Sequence, residues 1–256
     1  MADIISDLEV RQILSEYPLT IPLYERVHGF CGDQLTLRRR EGVGAECRYG
    51  THSVPIEFEI ILGVCPSPSA AISHELLHID LFQRGFPVRH NMFMTGSWEG
   101  CLTALTRYVD DLLNLLDHET FIDEFVEELC IPRRLFVHGT ERIGLLGIEY
   151  QMRADGPRAR GRWALDYVSE LIKETRAISG IPEGLLAVAR TMFATADSDA
   201  AFMQEWLTNG EYRLPRLRRD AVWGLLDHFD IGTPDFWWIR REGSQLVLVG
   251  DQDAAP

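Results

Sequence analysis

The chain has 256 residues, of which 46% are hydrophobic and 25% charged, a composition that is ordinary for a globular protein able to bury its own core. Its net charge of −14 argues against a general nucleic-acid or anionic-membrane surface, because phosphate binding draws on clustered Lys and Arg. No apolar run approaches the roughly 18–20 residues needed to cross a bilayer. Residues 1–17 also lack the basic and apolar regions of a signal peptide.

The cysteines are odd in number, widely spaced and without a CxxC pair, at Cys31, Cys47, Cys65, Cys101 and Cys130. This pattern argues against a disulfide scaffold and against a cysteine-type zinc site. We therefore expect reduced thiols and a cytoplasmic location.

The first third of the chain contains a helix, a turn-rich region and a strand. Apolar spacing predicts the helix over residues 4–17, and residues 18–52, rich in Gly, Pro and Arg, are predicted to form turns and short strands. In "VPIEFEIILGV" (residues 54–64), apolar residues alternate with Glu57 and Glu59, which predicts a strand with one solvent face.

The next element is a helix over about residues 70–83. Ser67 or Ser69 can cap its start, and Gly85 and Pro87 stop it. The helix contains the stretch "SHELLHID" (residues 73–80).

The remainder of the chain is predicted to be mainly helical. A long helical stretch covers residues 97–129 with an interruption near Glu119, and shorter helices are predicted at 163–178, 183–195 and 199–207. The tail is predicted to form a β-hairpin that turns at Glu242 and Gly243. These elements predict a helix-dominated α+β fold.

His74 and His78 lie four residues apart on the helix that starts near residue 70. Positions i and i+4 are about 40° apart around a helix axis, so both imidazoles project from one face and can bind one ion. Glu75 adjoins the first ligand and can act on a water held by the metal. Such an ion lowers the pKa of its water to near 7, and the carboxylate takes the proton.

The "HELLH" sequence, together with the strand and turn before it, resembles the strand–loop–active-site-helix order of zincin metallopeptidases. A catalytic zinc needs a third protein ligand. The metzincin pattern fails, because Leu81 stands where glycine belongs and Arg84 where the third histidine belongs. The gluzincin pattern asks for a glutamate on a following helix, and Glu99 is separated from His78 by 20 residues.

A second candidate region for the third ligand is "NLLDHETFIDEF" (residues 114–125), where Asn114 and His118 are again four residues apart. Read together with "HELLHIDLFQRGFP", it resembles a group of uncharacterised bacterial HExxH proteins with a second motif of the form Asn-x-x-acid-His. The resemblance implies His118 as third ligand and Asn114 as a residue that orients a ligand. Asp117 and Glu99 are alternates, and Glu119, four residues before Asp123, also stays open.

The sequence thus predicts a single zincin-like domain over residues 1–256. Residues 1–96 would hold a small antiparallel sheet and the active-site helix, and residues 97–256 a mainly helical half with a C-terminal hairpin. The predicted function is a zinc-dependent metallopeptidase that acts on a peptide or protein substrate through a metal-bound water activated by Glu75. The alternatives are a non-catalytic metal-binding or regulatory scaffold with a degenerate zincin fold, and a hydrolase of non-peptide amides.

Overall fold

The computed structural model describes residues 3–50, 57–86, 88–93, 102–136, 149–150, 153, 159–174, 181–229, 235–242 and 245–249. The chain divides into two compact units. The first comprises Met1–His90, Thr120–His138 and Ile239–Leu248, and the second Asn91–Glu119, Gly139–Trp238 and Val249–Pro256. The described residues are mostly helical with two small sheets, which confirms the predicted helix-dominated α+β class. That the units together form one zincin-like domain stays a prediction.

The first unit begins with two helices and a four-stranded sheet. In chain order these elements, with the helix that follows, are β1 (Asp3–Ile4), α1 (Asp7–Leu14), α2 (Thr20–Cys31), β2 (Leu35–Val43), β3 (Ala45–Gly50), β4 (Glu57–Val64) and α3 (Pro68–Gln83). The predicted first helix is shorter than expected, because Ser6 caps it and Ile4 pairs with Arg38 in the sheet.

Helix α2 corrects the prediction of turns and short strands in this region. Its buried face is formed by Leu23, Tyr24, Val27 and Cys31, which follow helical spacing. Pro22 is tolerated because it lies in the first turn, where the backbone N–H has no intrahelical partner. The Pro and Gly content of this region therefore led to a prediction of turns, although the apolar residues follow the spacing of an ordinary helix.

The four-stranded sheet is mixed, so the predicted antiparallel sheet is wrong. The strand order is β1-β2-β4-β3, with β4 parallel to β2 and antiparallel to β3. The reason is that β4 inserts between β2 and β3, which are consecutive in the chain. As predicted, β4 alternates near its start: Phe58 and Ile60 are buried, and Glu57 is exposed.

Gly63 permits the close approach of backbones where β4 enters the sheet. A Cβ atom at this position would lie 2.7 Å from the carbonyl oxygen of Gly42 and 2.8 Å from that of Gly44. Both distances are far below van der Waals contact, so any side chain here would force the strands apart. Gly44 itself has a φ of 90°, which favours glycine.

Helix α3 begins and ends where the sequence predicts. The hydroxyl of Ser67 accepts a hydrogen bond from the N–H of Ala70 at 3.2 Å, and Pro68 occupies the first turn. At the other end Gly85, with a φ of 92°, and Phe86 donate to carbonyl oxygens of the last turn, as in a Schellman motif. Every residue from Ile72 to Phe82 is buried, so this helix lies inside the first core.

Helix α4 (Leu102–Asp123) continues directly into a π-helical turn, Glu124–Glu128. The predicted break near Glu119 is wrong, because the helix is regular there and changes only five residues later. A π-helical turn widens the backbone spiral and is often found near functional sites. The end of α4 from Thr120 onward belongs to the first unit, and the earlier part belongs to the second.

In the part of the second unit that the structure describes, further helices pack around a core of their own. They are α5 (Ala159–Glu174), α6 (Ile181–Met192), α7 (Ala196–Asn209) and α8 (Arg218–His228). The first three confirm predicted helices with shifted ends. Helix α8 has no counterpart in the prediction, and one of its buried positions is taken by Arg218, which interrupts the apolar pattern.

A second sheet contains β5 (Val88–Phe93), β6 (Asp235–Glu242) and β7 (Gln245–Val249), in the order β5-β6-β7. Strands β6 and β7 are neighbours, as the predicted hairpin requires, and Gly243 at the turn lies outside the described residues. Among the helices described, none has the length and apolar composition that a membrane span requires.

Candidate metal centre

Helix α3 presents its two histidines to the same environment. The imidazole centroids of His74 and His78 lie 5.2 Å apart with 60° between the ring planes. The two residues are buried, with exposed fractions of 8% and 7%. This is the arrangement that the spacing of four residues predicts, because it is a property of one helix.

His118, near the end of helix α4, completes a group of three. One ring nitrogen from each of His74, His78 and His118 lies within 4.8 Å of the other two. His118 is 2% exposed. Its neighbour one turn further along α4, Phe121, packs against both rings of α3, so the end of α4 is held against the site helix.

The donor set fits a zinc ion. Three neutral imidazoles that leave the fourth tetrahedral position open are the ligands of a catalytic zinc centre. Nitrogens bound at about 2.0–2.1 Å in a tetrahedron lie roughly 3.4 Å apart. Small side-chain rotations are enough to bring three nitrogens from within 4.8 Å to that spacing.

Glu75 is buried beside the histidines and reaches strand β3. Its exposed fraction is 8%, and its carboxylate accepts a hydrogen bond from the backbone N–H of Cys47. Burial raises the pKa of Glu75, while the hydrogen bond from the Cys47 N–H acts in the opposite direction. The carboxylate is therefore held in place and favours proton uptake more than an exposed glutamate does.

Three phenylalanine rings form an apolar wall around the imidazoles. Phe121 lies 4.9 Å from the His78 ring, and Phe136 lies 4.9 Å from the His74 ring. Phe125 packs against Phe136 at 5.0 Å. A wall of this kind limits water access and lowers the local dielectric, which strengthens electrostatic interactions at a bound ion.

The two acids that flank His118 bind arginines. Arg218 donates to Asp117, and Arg213 donates to both carboxylate oxygens of Glu119, with Nε–Oε2 at 3.0 Å. The structure thus places these two alternate ligands in ion pairs, while His118 lies in the histidine group.

Two further predicted site residues are Asn114 and Glu99. Asn114 lies on α4 one turn before His118 and is partly exposed, and its role in orienting a ligand stays a prediction. Glu99 lies outside the described residues.

Sequence reasoning missed Arg213 and Arg218 as partners of the site region. The available signal was the stretch "EYRLPRLRRD" (residues 211–220), with four arginines next to leucines and a tyrosine. For Cys47 and the three phenylalanines, the surrounding sequence contains no pattern that indicates a contact with the site.

Comparisons with protein-family models, with curated proteins and with solved structures found no match to this chain.

Proposed function

We propose that this protein is a zinc-dependent hydrolase, a metallopeptidase in which His74, His78 and His118 hold the ion and Glu75 moves the proton. The observation that carries the proposal is the group of three buried imidazoles with ring nitrogens within 4.8 Å of one another. Glu75, adjacent in sequence to His74 and buried with it, supplies the acid–base group that a purely structural zinc site does not need.

The bound ion would lower the pKa of a water molecule to near 7 and polarise a substrate carbonyl. Glu75 accepts the proton of the attacking water and then passes it to the nitrogen of the leaving amine. The Cys47 N–H keeps the carboxylate oriented during both transfers. The phenylalanine wall excludes bulk water from the side of the imidazoles against which it packs.

The position of strand β3 supports a peptide as substrate. In the order β1-β2-β4-β3 this strand is outermost among the described strands of its sheet, and it pairs with β4 along one edge. The Cys47 N–H points toward Glu75 rather than toward β4, so the outer edge of β3 runs past the proposed catalytic carboxylate. An extended peptide that adds to this edge of the sheet would therefore pass beside Glu75. A non-peptide amide would not need this edge.

The depth of the three histidines supports a second candidate, a non-catalytic metal-binding or regulatory scaffold. All three are less than 10% exposed, with His118 at 2%, and the rings of His74 and His78 pack against Phe121. A structural ion in such a place would stabilise the packing of α3 against the end of α4. The two candidates differ in what they require of Glu75, because only the enzyme needs its carboxylate.

The experiment is zinc analysis combined with Glu75→Gln. Protein purified without added metal is analysed by inductively coupled plasma mass spectrometry, and hydrolysis is followed with a fluorescence-quenched peptide library. We expect about one zinc per chain. We also expect the Glu75→Gln variant to retain zinc and lose hydrolysis. Glu57→Gln, an exposed glutamate of β4, is the matched control and should retain both.

The outcomes separate the candidates. Zinc together with peptide hydrolysis that survives Glu75→Gln contradicts the assigned role of the carboxylate. Zinc without hydrolysis in the wild type favours the scaffold. Absence of zinc, with no rise in melting temperature when zinc is added, contradicts the enzyme and leaves only a scaffold that binds no metal.

The proposed partners and location follow the same reasoning. The net charge of −14 supports a substrate other than nucleic acid. A cytoplasmic location is proposed because the four cysteines whose side chains are described carry thiols rather than disulfides.

A further inference from the structure

His118 is flanked in the chain by two carboxylates that both bind arginines. Asp117 pairs with Arg218, and Glu119 pairs with Arg213 through two hydrogen bonds. The Glu119 side chain is 6% exposed, so this second pair is largely shielded on its acidic side. Both arginines come from one short segment, residues 213–218, which follows helix α7.

The two ion pairs act on opposite sides of the histidine. Each residue of a helix advances about 100° around the axis, so positions 117 and 119 leave helix α4 about 100° to either side of His118. A rotation of the helix in either sense stretches one of the two pairs. An imidazole nitrogen lies roughly 6 Å from the helix axis, so a rotation of about 20° moves it by about 2 Å. That displacement is as large as a zinc–nitrogen bond.

The arginines are themselves anchored. Arg218 is 1% exposed and donates from Nε to the carbonyl oxygen of Tyr212 at 2.7 Å. The ring of Tyr212 stacks on Trp206 at 5.1 Å, and the indole N–H of Trp206 donates to the carbonyl oxygen of Ala221 at 2.7 Å. The arginine segment is therefore bound to both α7 and α8, which makes it a rigid support.

Stability alone does not account for the pair of Asp117 and Arg218, in which Arg218 is buried and the Asp117 side chain is 24% exposed. Replacing a buried ion pair with apolar residues of similar volume is often neutral or stabilising, because burying two charges costs about as much as their attraction returns. Such a pair does fix the direction in which the acidic side chain leaves the helix. The arginine also occupies a carboxylate that, left unpaired, would compete with His118 for a cation.

We propose that Arg213 and Arg218 are positioning residues that fix the rotation of helix α4, aim His118 as the third zinc ligand and keep Asp117 and Glu119 from binding the ion. This proposal rests on the proposed function. It assigns no direct contact with the ion or the substrate to either arginine.

The test compares Arg213→Gln with a matched control, Arg160→Gln. The side chain of Arg213 is 55% exposed, so its replacement removes little packing, but it takes a cation away from the buried Glu119 carboxylate and should cost some stability. Arg160 forms an equivalent two-bond pair with buried Asp199 in the same unit. The measurements are the zinc dissociation constant of the full chain, by competition with a chromophoric chelator, and the visible absorption of the cobalt-substituted protein, which reports ligand geometry.

We expect Arg213→Gln to weaken zinc binding about 10–100-fold, as is usual when a group that orients a ligand is lost. The cobalt spectrum should change with it, and Arg213→Lys should recover part of the affinity. Arg160→Gln should lower the melting temperature but leave zinc affinity and the cobalt spectrum as in the wild type. Arg218→Lys, which keeps the buried charge but not the forked geometry, should weaken zinc binding in the same direction.

Two results would overturn the proposal while leaving the zinc site itself intact. One is wild-type zinc affinity and an unchanged cobalt spectrum in Arg213→Gln. The other is an equal loss of affinity in Arg213→Gln and Arg160→Gln, which would show general destabilisation. A wild-type protein that binds no zinc would instead overturn the proposed function, and this proposal with it.

Discussion

The ring of Phe121 meets the imidazole of His78 edge-on, with the centroids 4.9 Å apart and the planes at 90°. Phe121 also lies edge-on to His74 at 5.4 Å, so a single side chain of α4 contacts both histidines of α3. The contact holds both rings in one orientation. It therefore contributes to the site as well as to the core.

We expect Phe121→Leu to lower the free energy of unfolding by about 1–2 kcal/mol and to weaken zinc binding several-fold. Phe58→Leu, in the same core but packed against Phe82 and Phe30, should cost similar stability without changing zinc affinity. Urea denaturation and chelator competition measure the two quantities. Equal zinc affinities in both variants would contradict a role of Phe121 at the site.

His118→Ala should remove most zinc binding, with a loss greater than the roughly 10–100-fold typical of a residue that only orients a ligand. The control is His228→Ala, which removes an exposed histidine that stacks on Phe202. Isothermal titration with zinc measures both. If His118→Ala binds zinc as the wild type does, the third ligand is a different residue.

A closed ring of four charges joins α3 to the π-helical turn after α4. Arg26 contacts Asp80 at 2.7 Å and Glu124 at 3.3 Å, and Arg84 contacts the same two carboxylates at 3.7 and 3.1 Å. Because the Asp80 side chain is 2% exposed, Asp80→Asn should lower the free energy of unfolding by about 2 kcal/mol. Glu25→Gln, in an exposed pair with Arg11, should cost less than about 1 kcal/mol. If urea denaturation gave the same loss in free energy of unfolding for both variants, the four-charge cluster would contribute no more than an exposed ion pair.

Asp199 should make stability depend on acid pH. Burial alone would raise its pKa, but hydrogen bonds from Arg160 and Thr195 and the charge of Arg160 outweigh burial and hold the pKa below 3.8. Because the folded state binds this proton less tightly than the unfolded state, the carboxylate contributes stability above pH 3.8 that is lost as pH falls through the lower folded pKa. Asp199→Asn should therefore be less stable at pH 7, by about 2 kcal/mol.

Thermal unfolding between pH 2 and pH 7 checks this, since the two melting temperatures should converge at the acid end. Asp197→Asn, which alters an exposed pair with Arg190, is the control and should follow the wild type closely. A difference that stayed constant down to pH 2 would show that the carboxylate charge is not its source.

Cys130 has a φ of 54°, the left-handed region that disfavours side chains. It is exposed and follows the π-helical turn. Cys130→Gly should therefore stabilise the protein by about 0.5–1 kcal/mol, or about 2 °C in melting temperature. Cys130→Ala should give no such gain, and scanning calorimetry distinguishes the two variants.

Local chemistry determined helix α3 and its contribution to the site. Ser67 and Gly85 mark its ends, and the spacing of His74 and His78 places their rings on one face whatever the rest of the chain does. These features depend on hydrogen bonds and angles within a single helix, so the sequence alone was enough to predict them.

Only the tertiary structure decided the features that involve distant residues. His118 lies 40 positions after His78, and sequence spacing left it in competition with Glu99, Asp117 and Glu119. In the folded chain, Asp117 and Glu119 bind arginines that lie about 95–100 positions further along the sequence. His118, between them, lies with His74 and His78 instead. The parallel pairing of β2 with β4 was equally hidden, because turn residues determine where a chain reverses but not which strand enters the gap. Residues far apart in sequence converge through the burial of whole helix and sheet faces, and no local periodicity encodes that choice.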